Sequence, residues 1–247
     1  MQNQPPVFLQ DSSTLEILRQ VANNVPSDIE VYLFGGAIRN ALYYSYFNEE
    51  MTQRDFDCIV IGDPQEFAHN LEKLGFIYGA KNSDKAKVLK KARIENPSES
   101  YNDWLYLDCK IYSNEETIES VLQKISDFSI NGVALDIKEL ESSDWLAKVI
   151  ELPNATVDIQ EKKLRIIKCY SASIYKILRL VSQGFKQPTE EDVTRCLEKL
   201  KEISREKFDK ETTKTIKYIG DEGKVLKVAE QLGIKFNILN FEELQTQ

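Results

Sequence analysis

The sequence predicts an α+β fold, in which a mixed β-sheet with flanking helices is followed by an all-helical C-terminal part. In the first part of the chain, short apolar runs typical of strands alternate with helical stretches. After about Leu164, apolar residues recur at the 3.6-residue spacing of helices. We therefore divide the chain into an N-terminal arm and helix (1–27), a sheet domain (28–140) and a linker with a helical C-terminal domain (141–247).

Each predicted element rests on a local pattern. Ser12, Ser13 and Thr14 offer N-caps for a first helix, and Gly75 closes a later one. The apolar runs that predict strands are 31–34, Phe56–Ile61, 87–94, Trp104–Tyr112 and, as a short isolated run, 164–168. The third and fourth of these runs flank a polar loop, so we expect them to pair. Helices in this part are predicted over 65–74 and 114–124.

The composition limits the chemistry that the chain can perform. A single histidine and four cysteines without a C-x-x-C pair argue against a zinc site, a disulfide framework or histidine-based catalysis. No apolar run is long enough to span a membrane and no signal peptide is visible, so a cytoplasmic location is predicted. The net charge of −8 disfavours a protein whose main task is to grip RNA. The lysine-rich stretch 199–217 is interleaved with acidic residues and is interpreted as a solvated helix face.

Two glycines and two carboxylates form the pattern that carries the chemistry. Gly35 and Gly36 lead out of an apolar run and into a helix-like stretch, and Asp55 and Asp57 flank the start of the next apolar run. Because side chains alternate along a strand, Asp55 and Asp57 are predicted to point to the same face. Such carboxylates beside an amide-rich turn suit divalent metals that hold a nucleoside triphosphate. The pattern therefore predicts nucleotidyl transfer.

This order of segments resembles the head domain of class II tRNA nucleotidyltransferases (CCA-adding enzymes) and bacterial poly(A) polymerases. The stretch 34–40 is similar to the family pattern Val-Gly-Gly-x-Val-Arg-Asp, and 55–57 to its Asp-hydrophobic-Asp. Two more degenerate segments, 124–132 and 176–185, follow in the family's order, so the resemblance covers about residues 30–212. It implies a polymerase-beta-like nucleotidyltransferase head followed by a helical neck, with a two-metal Mg²⁺ site and an NTP as a binding partner.

The resemblance also implies which residues hold the metals. Asp55 and Asp57 would bind the two ions that activate the acceptor hydroxyl and neutralise charge on the α-phosphate. Asp108, on a later strand, is a candidate for a third catalytic carboxylate, and an ordinary aspartate at a strand edge is the alternative. These three carboxylates form the predicted catalytic set.

A second group of residues is implied to bind the nucleotide. Its members are Gly35, Gly36, Arg39, Arg54, Asp127, Asn131, Lys176 and Arg179. The two glycines let backbone amides approach the triphosphate, which the polarity of a helix N-terminus also favours. For Arg39 the alternative is a salt bridge to a nearby carboxylate. For Asp127 and Asn131 the alternative is a structural role in capping and in fixing a turn.

The chain departs from the family pattern where the family holds and reads the nucleotide. Ile125 and Ser126 stand in place of two arginines that help to hold the ribose and triphosphate, and Asn40 stands in place of an aspartate. The base-reading motif Glu-Asp-x-x-Arg falls on 169–173, or in another register on 161–165, and neither register preserves it. A site that loses its hydrogen-bond partners for the base loses discrimination, so the sequence does not support CCA synthesis.

Three functional hypotheses follow. The first is a metal-dependent nucleotidyltransferase that transfers NMP from an NTP, with an RNA 3′ end as a candidate acceptor. The second is the same transfer to a small molecule or a protein, which an acidic chain tolerates better. The third is a catalytically degenerate head that binds a nucleotide or a partner, because several of the family's nucleotide contacts are replaced.

Overall fold

The computed structural model describes residues 6–51, 55–83, 86–93, 97–98 and 103–245. Contacts among these residues divide the chain into two compact units. Unit 1 contains the described residues up to Ser126 together with Ile130–Ile159, and unit 2 contains Asp127–Ser129 and the described residues from Gln160 onward. Each unit has its own interior.

Unit 1 is built on a mixed sheet, as the sequence predicts. Among the described residues the sheet has seven strands in the order β3-β4-β5-β2-β1-β6-β7. Their bounds are β1 Glu30–Phe34, β2 Phe56–Ile61, β3 Ile77–Ser83, β4 Ala86–Ala92, β5 Trp104–Tyr112, β6 Val133–Asp136 and β7 Ile150–Glu151. The pair β2–β5 is parallel, whereas the other described pairs are antiparallel.

Helices flank this sheet because its central strands are apolar on both faces. The helices of unit 1 are α1 Ser12–Asn23, α2 Gly36–Phe47, α3 Pro64–Lys73 and α4 Ile118–Ile125, and α5 Ala155–Gln160 follows at the boundary. In α4 the buried residues Ile118, Val121 and Leu122 follow helical i, i+3, i+4 spacing and pack on Tyr32 and Ile59 of the central strands. Burial of each such side chain stabilises the unit by roughly 1.5–3 kcal/mol.

Some predicted boundaries differ from those observed. The N-cap of α1 is Asp11 rather than Ser12, Ser13 or Thr14, because the Asp11 carboxylate accepts from the backbone N–H groups of Ser13 and Thr14. The helix predicted from 114 begins at Ile118, because the Thr117 hydroxyl caps it there. The run 164–168, predicted as a strand, contributes an isolated bridge between Phe128 and Ile166. The strands β3, β6 and β7 are absent from the sequence prediction.

The observed boundary between the units falls at Ile159, within the part of the chain from 141 onward in which the sequence places the linker. The residues up to Ile159 belong to unit 1 because β7 pairs with β6 and because Leu152 packs into the core of unit 1. The Leu152 backbone N–H donates to the Gly132 carbonyl over 2.7 Å. A Cβ atom added at Gly132 would lie only 2.7 Å from Leu152 Cδ1, so this approach requires glycine.

Unit 2 is helical in its described part, as predicted. Its helices are α6 Ser173–Ser182, α7 Glu190–Leu200, α8 Arg205–Ile219, α9 Glu222–Gln231 and α10 Phe241–Gln245. Gly184, Gly220 and Gly233 follow helix ends with positive φ angles. Tyr175, Phe208 and Phe241 pack edge to face in its interior. None of the helices described in either unit has both the length and the apolar character needed to cross a membrane.

The contact between Gly132 and Leu152 gives a test of the fold. We expect Gly132→Ala to lower the free energy of unfolding by about 1–3 kcal/mol, because the added methyl group overpacks a buried contact. Urea denaturation measures this change. Gly36→Ala is the matched control, since its methyl group would meet nothing nearer than Arg39 Nη2 at 3.8 Å. Equal stability of Gly132→Ala and the wild type would contradict the packing described.

Candidate nucleotide-binding site

Two carboxylates lie side by side on the parallel strands β2 and β5. Asp57 and Asp108 are register partners, and partners on neighbouring strands share a face of the sheet. Both side chains are half-buried. Their successors Cys58 and Cys109 are buried on the opposite face. The hydrogen bond with Cys109 and burial raise the pKa of the Cys58 thiol, and the nearby charges of Asp57 and Asp108 raise it further. The Cys58 thiol is therefore protonated and unreactive.

The third predicted carboxylate, Asp55, directly precedes β2. The strand β2 begins at Phe56, so strand alternation does not fix the direction of Asp55, which is exposed. Within the part of the chain that the structure describes, no group of three or more His, Cys, Asp or Glu residues is arranged to hold a metal ion. The structure places Asp57 beside Asp108, and a shared metal site of Asp55 and Asp57 stays a prediction. Arg54 lies outside the described residues.

A glycine turn joins β1 to α2 in the same unit. Gly35 has φ 64° and ψ −121°, a conformation that residues with a Cβ rarely adopt, and its N–H donates to the Val133 carbonyl over 2.9 Å. The helix begins at Gly36, and no side chain described in the structure caps it. An α-helix leaves its first N–H groups without intrahelical acceptors, and its N-terminus attracts anions. The turn is thus shaped and polarised for a phosphate group.

Arg39 lies one turn into α2 and is held by two amide side chains. Its Nε and Nη2 donate to Asn40 Oδ1 over 3.1 and 2.8 Å, and its Nη1 donates to Asn131 Oδ1 over 2.7 Å. The Asn40 side chain is buried. These acceptors are neutral, so they orient the guanidinium without the negative charge that an aspartate at position 40 would bring. The structure thus joins Arg39 and Asn131, two residues for which the resemblance implies a nucleotide-binding role.

One charged residue of this face, Lys110, is absent from the residues that the sequence predicts for the site. It follows Asp108 by two residues on β5, so it lies on the same face as the paired carboxylates. Its Nζ lies 4.9 Å from the centroid of the Phe34 ring, and Phe34 directly precedes the glycine turn. The alternation Asp-x-Lys on a strand was the available signal.

The other predicted nucleotide-binding residues lie in unit 2 and contact one another or their own unit. Lys176 Nζ donates to Asp127 Oδ2 over 2.5 Å, and the Asp127 carbonyl accepts from the Ile167 and Lys168 N–H groups. These bonds match the structural alternative for Asp127, which fixes a turn. A nucleotide-binding role for Asp127 or Lys176 stays a prediction.

Arg179 is enclosed in the interior of unit 2. Its guanidinium donates to Glu211 over 3.1 Å and to Thr215 Oγ1 over 2.9 Å, and only 8% of the residue is exposed. Removal of either partner of such a pair leaves a buried charge uncompensated. The described contacts of Arg179 therefore give it a structural role in unit 2, and its contact with a nucleotide stays a prediction.

Comparison of the sequence with protein-family models and with curated proteins gives no match. The fold does match solved structures. A Thermotoga maritima CCA-adding enzyme complexed with tRNA aligns at a TM-score of 0.63 and 17% identity, over 91% of this chain and 52% of that chain. A tRNA nucleotidyltransferase complexed with a primer tRNA and an incoming ATP analogue aligns at 0.65 and 19%, over 90% of this chain and 62% of that chain.

These alignments confirm the fold that the motifs predict. A tRNA-processing enzyme in an apo form gives a similar result, with a TM-score of 0.64 and 19% identity over 91% of this chain and 60% of that chain. The chain spans between about half and three fifths of the length of these proteins. At such identities the likeness establishes a nucleotidyltransferase fold, and the activity has to be argued from the site.

The bonds between Arg39 and Asn40 give a test of the site's internal order. We expect Asn40→Leu to lower the free energy of unfolding by about 1–3 kcal/mol, because two N–H donors of Arg39 lose their acceptor. Asn40→Asp keeps an acceptor there and should retain stability within about 1 kcal/mol of the wild type. Urea denaturation compares the three proteins, and a Leu variant as stable as the Asp variant would show that these bonds do not matter.

Proposed function

We propose that the chain is a metal-dependent nucleotidyltransferase, which transfers NMP from an NTP to an acceptor hydroxyl group. The register pairing of Asp57 with Asp108, on the sheet that also positions the Gly35 turn, carries this proposal. In the reaction the acceptor oxygen attacks the α-phosphorus. The bond between the α-phosphorus and the oxygen that bridges it to the β-phosphate breaks, and pyrophosphate leaves. The chain has to hold the triphosphate and to direct the attacking hydroxyl.

The paired carboxylates fit Mg²⁺. This ion is usually held by one or two carboxylates together with substrate phosphates rather than by a cage of protein ligands. Asp57 and Asp108 supply such a pair, and Asp55 remains a candidate for a further ligand. When bound, Mg²⁺ supplies charge neutralisation on the phosphates and acidification of the attacking hydroxyl. The pair Asp57 and Asp108 supports one bound ion. The proposal of a second ion rests on the family resemblance.

The residues around the glycine turn would bind the triphosphate. The N–H groups at the start of α2 offer hydrogen bonds to phosphate oxygens, as helix N-termini do elsewhere. Arg39, fixed by Asn40 and Asn131, adds a positive charge one turn into the same helix. Orientation of this kind is the main contribution that a protein makes to phosphoryl transfer.

Two classes of acceptor are candidates for the transferred NMP. An RNA 3′ end is the first candidate, because the solved neighbours include complexes with tRNA. A small molecule or a protein is the second candidate, because a net charge of −8 repels RNA. To distinguish these acceptors, the protein is incubated with labelled NTPs, once with total RNA and once with whole-cell protein extract. The fraction in which the label appears identifies the acceptor. Nucleotide binding without label transfer in either fraction favours the degenerate binding module.

Isosteric removal of the carboxylate charge tests the metal site. We expect Asp57→Asn and Asp108→Asn each to lower NMP transfer by about a hundredfold or more, because the variants lose a charged ligand of the metal. Both side chains are half-buried on the sheet face, so unfolding in urea should change little.

Asp28→Asn is the matched control. It removes one exposed carboxylate near the opposite end of β1, ahead of Glu30, and should leave transfer at the wild-type level. Wild-type activity in both site variants would remove the proposed metal site. Equal losses in all three variants would point to net charge rather than to this pair.

The space above Gly36 gives an independent test of the phosphate position. We expect Gly36→Ala to weaken NTP binding at least tenfold, because its methyl group would occupy the space of the phosphates. Stability should stay the same or rise by up to about 1 kcal/mol, since alanine favours a helix over glycine and the nearest atom is 3.8 Å away. Calorimetric titration with each NTP and Mg²⁺ measures binding. Unchanged affinity would place the phosphates elsewhere.

A further inference from the structure

Lys110 places a positive charge on the sheet face that carries the paired carboxylates. It lies on the same face of β5 as Asp108, two residues further along the strand. Its ammonium lies over the ring of Phe34, with Nζ 4.9 Å from the centroid. Phe34 is the last residue of β1 and directly precedes Gly35, so the ring under the ammonium belongs to the strand that leads into the turn.

The contact with Phe34 holds the ammonium and leaves it with hydrogen bonds to donate. A ring face attracts a cation electrostatically, whereas a lysine ammonium carries three N–H donors. Within the described residues Lys110 forms no ion pair, although Asp108 lies on the same strand face. A half-buried ammonium of this kind suits an anionic acceptor that arrives with a ligand.

The charge balance of the site also calls for a cation from the protein. A triphosphate brings several negative charges toward a face that already carries Asp57 and Asp108. The arginines that the family resemblance would place before Asp127 are Ile125 and Ser126 here, and neither side chain is charged. Lys110 is a cation on the face where the triphosphate has to approach the carboxylates.

We propose that Lys110 binds a non-bridging phosphate oxygen of the incoming nucleoside triphosphate, while the Phe34 ring holds its ammonium in position. The inference rests on the proposed function and adds the residue that recognises the anionic part of the substrate. The ligand class is a nucleoside triphosphate, and a nucleoside without phosphates would gain nothing from this contact.

Titration of Lys110 variants with NTPs and with the matching nucleosides tests the proposal without a need for the acceptor. We expect Lys110→Met to weaken binding of each Mg·NTP about ten- to a hundredfold, because a charge-assisted hydrogen bond is lost. Nucleoside binding should stay within about twofold. Lys110→Arg keeps the charge and should recover most of the NTP affinity, which also guards against loss of the fold as the cause.

Lys91→Met is the matched control. Lys91 is the register partner of Leu105, so it lies on the face of the sheet opposite to Lys110. Its Nζ also lies near an aromatic ring, 5.6 Å from the centroid of Phe76. Lys91→Met should leave NTP affinity unchanged. Two results would overturn the role of Lys110 while leaving the proposed function intact. In the first, Lys110→Met binds NTP as tightly as the wild type does. In the second, Lys110→Met and Lys91→Met lower the NTP affinity equally. A wild-type protein that binds no Mg·NTP would overturn both.

Discussion

The parallel pairing of β2 with β5 is the contact on which the candidate site depends. These strands are far apart in sequence, and their register sets Asp57 beside Asp108 on one face of the sheet. A slip of β5 by one residue would turn Asp108 and Lys110 to the opposite face of the sheet, away from Asp57. Burial of the alternate residues of β5 on the other face holds the register, because the slipped strand would bury charges and expose apolar side chains.

The local features of this unit could be predicted from the sequence, and the long-range ones could not. The strand Phe56–Ile61 and the Gly35 turn follow from an apolar run and from a glycine pair. The partner of Asp57 does not, because a parallel pair is joined through other elements and leaves no short-range signal. The strand β3 is polar and contains glycine, and β7 has two residues, so both depend on neighbouring strands rather than on propensity. Lys110 was missed because a lone lysine on a strand is common.

The residues implied by the resemblance separate into two groups in the structure. In unit 1, Arg39 and Asn131 share a hydrogen bond at the start of α2, and Asp57 is the register partner of Asp108. Those of unit 2 are bonded within their own unit, where Lys176 pairs with Asp127 and Arg179 is buried against Glu211. The residues proposed for metal and triphosphate therefore lie in unit 1, whereas the positions that the resemblance implies for reading the base differ from the family pattern. The fold is shared with CCA-adding enzymes, and the choice of base and acceptor has to be determined for this chain itself.

A crystal structure with Mn²⁺ and a non-hydrolysable NTP analogue tests the central claim most directly, because anomalous scattering locates the ion independently of the nucleotide. The account predicts an anomalous peak coordinated by the carboxylates of both Asp57 and Asp108, with the triphosphate against Gly36 and the start of α2. An ion held by other side chains, or a nucleotide bound away from this turn, would contradict it.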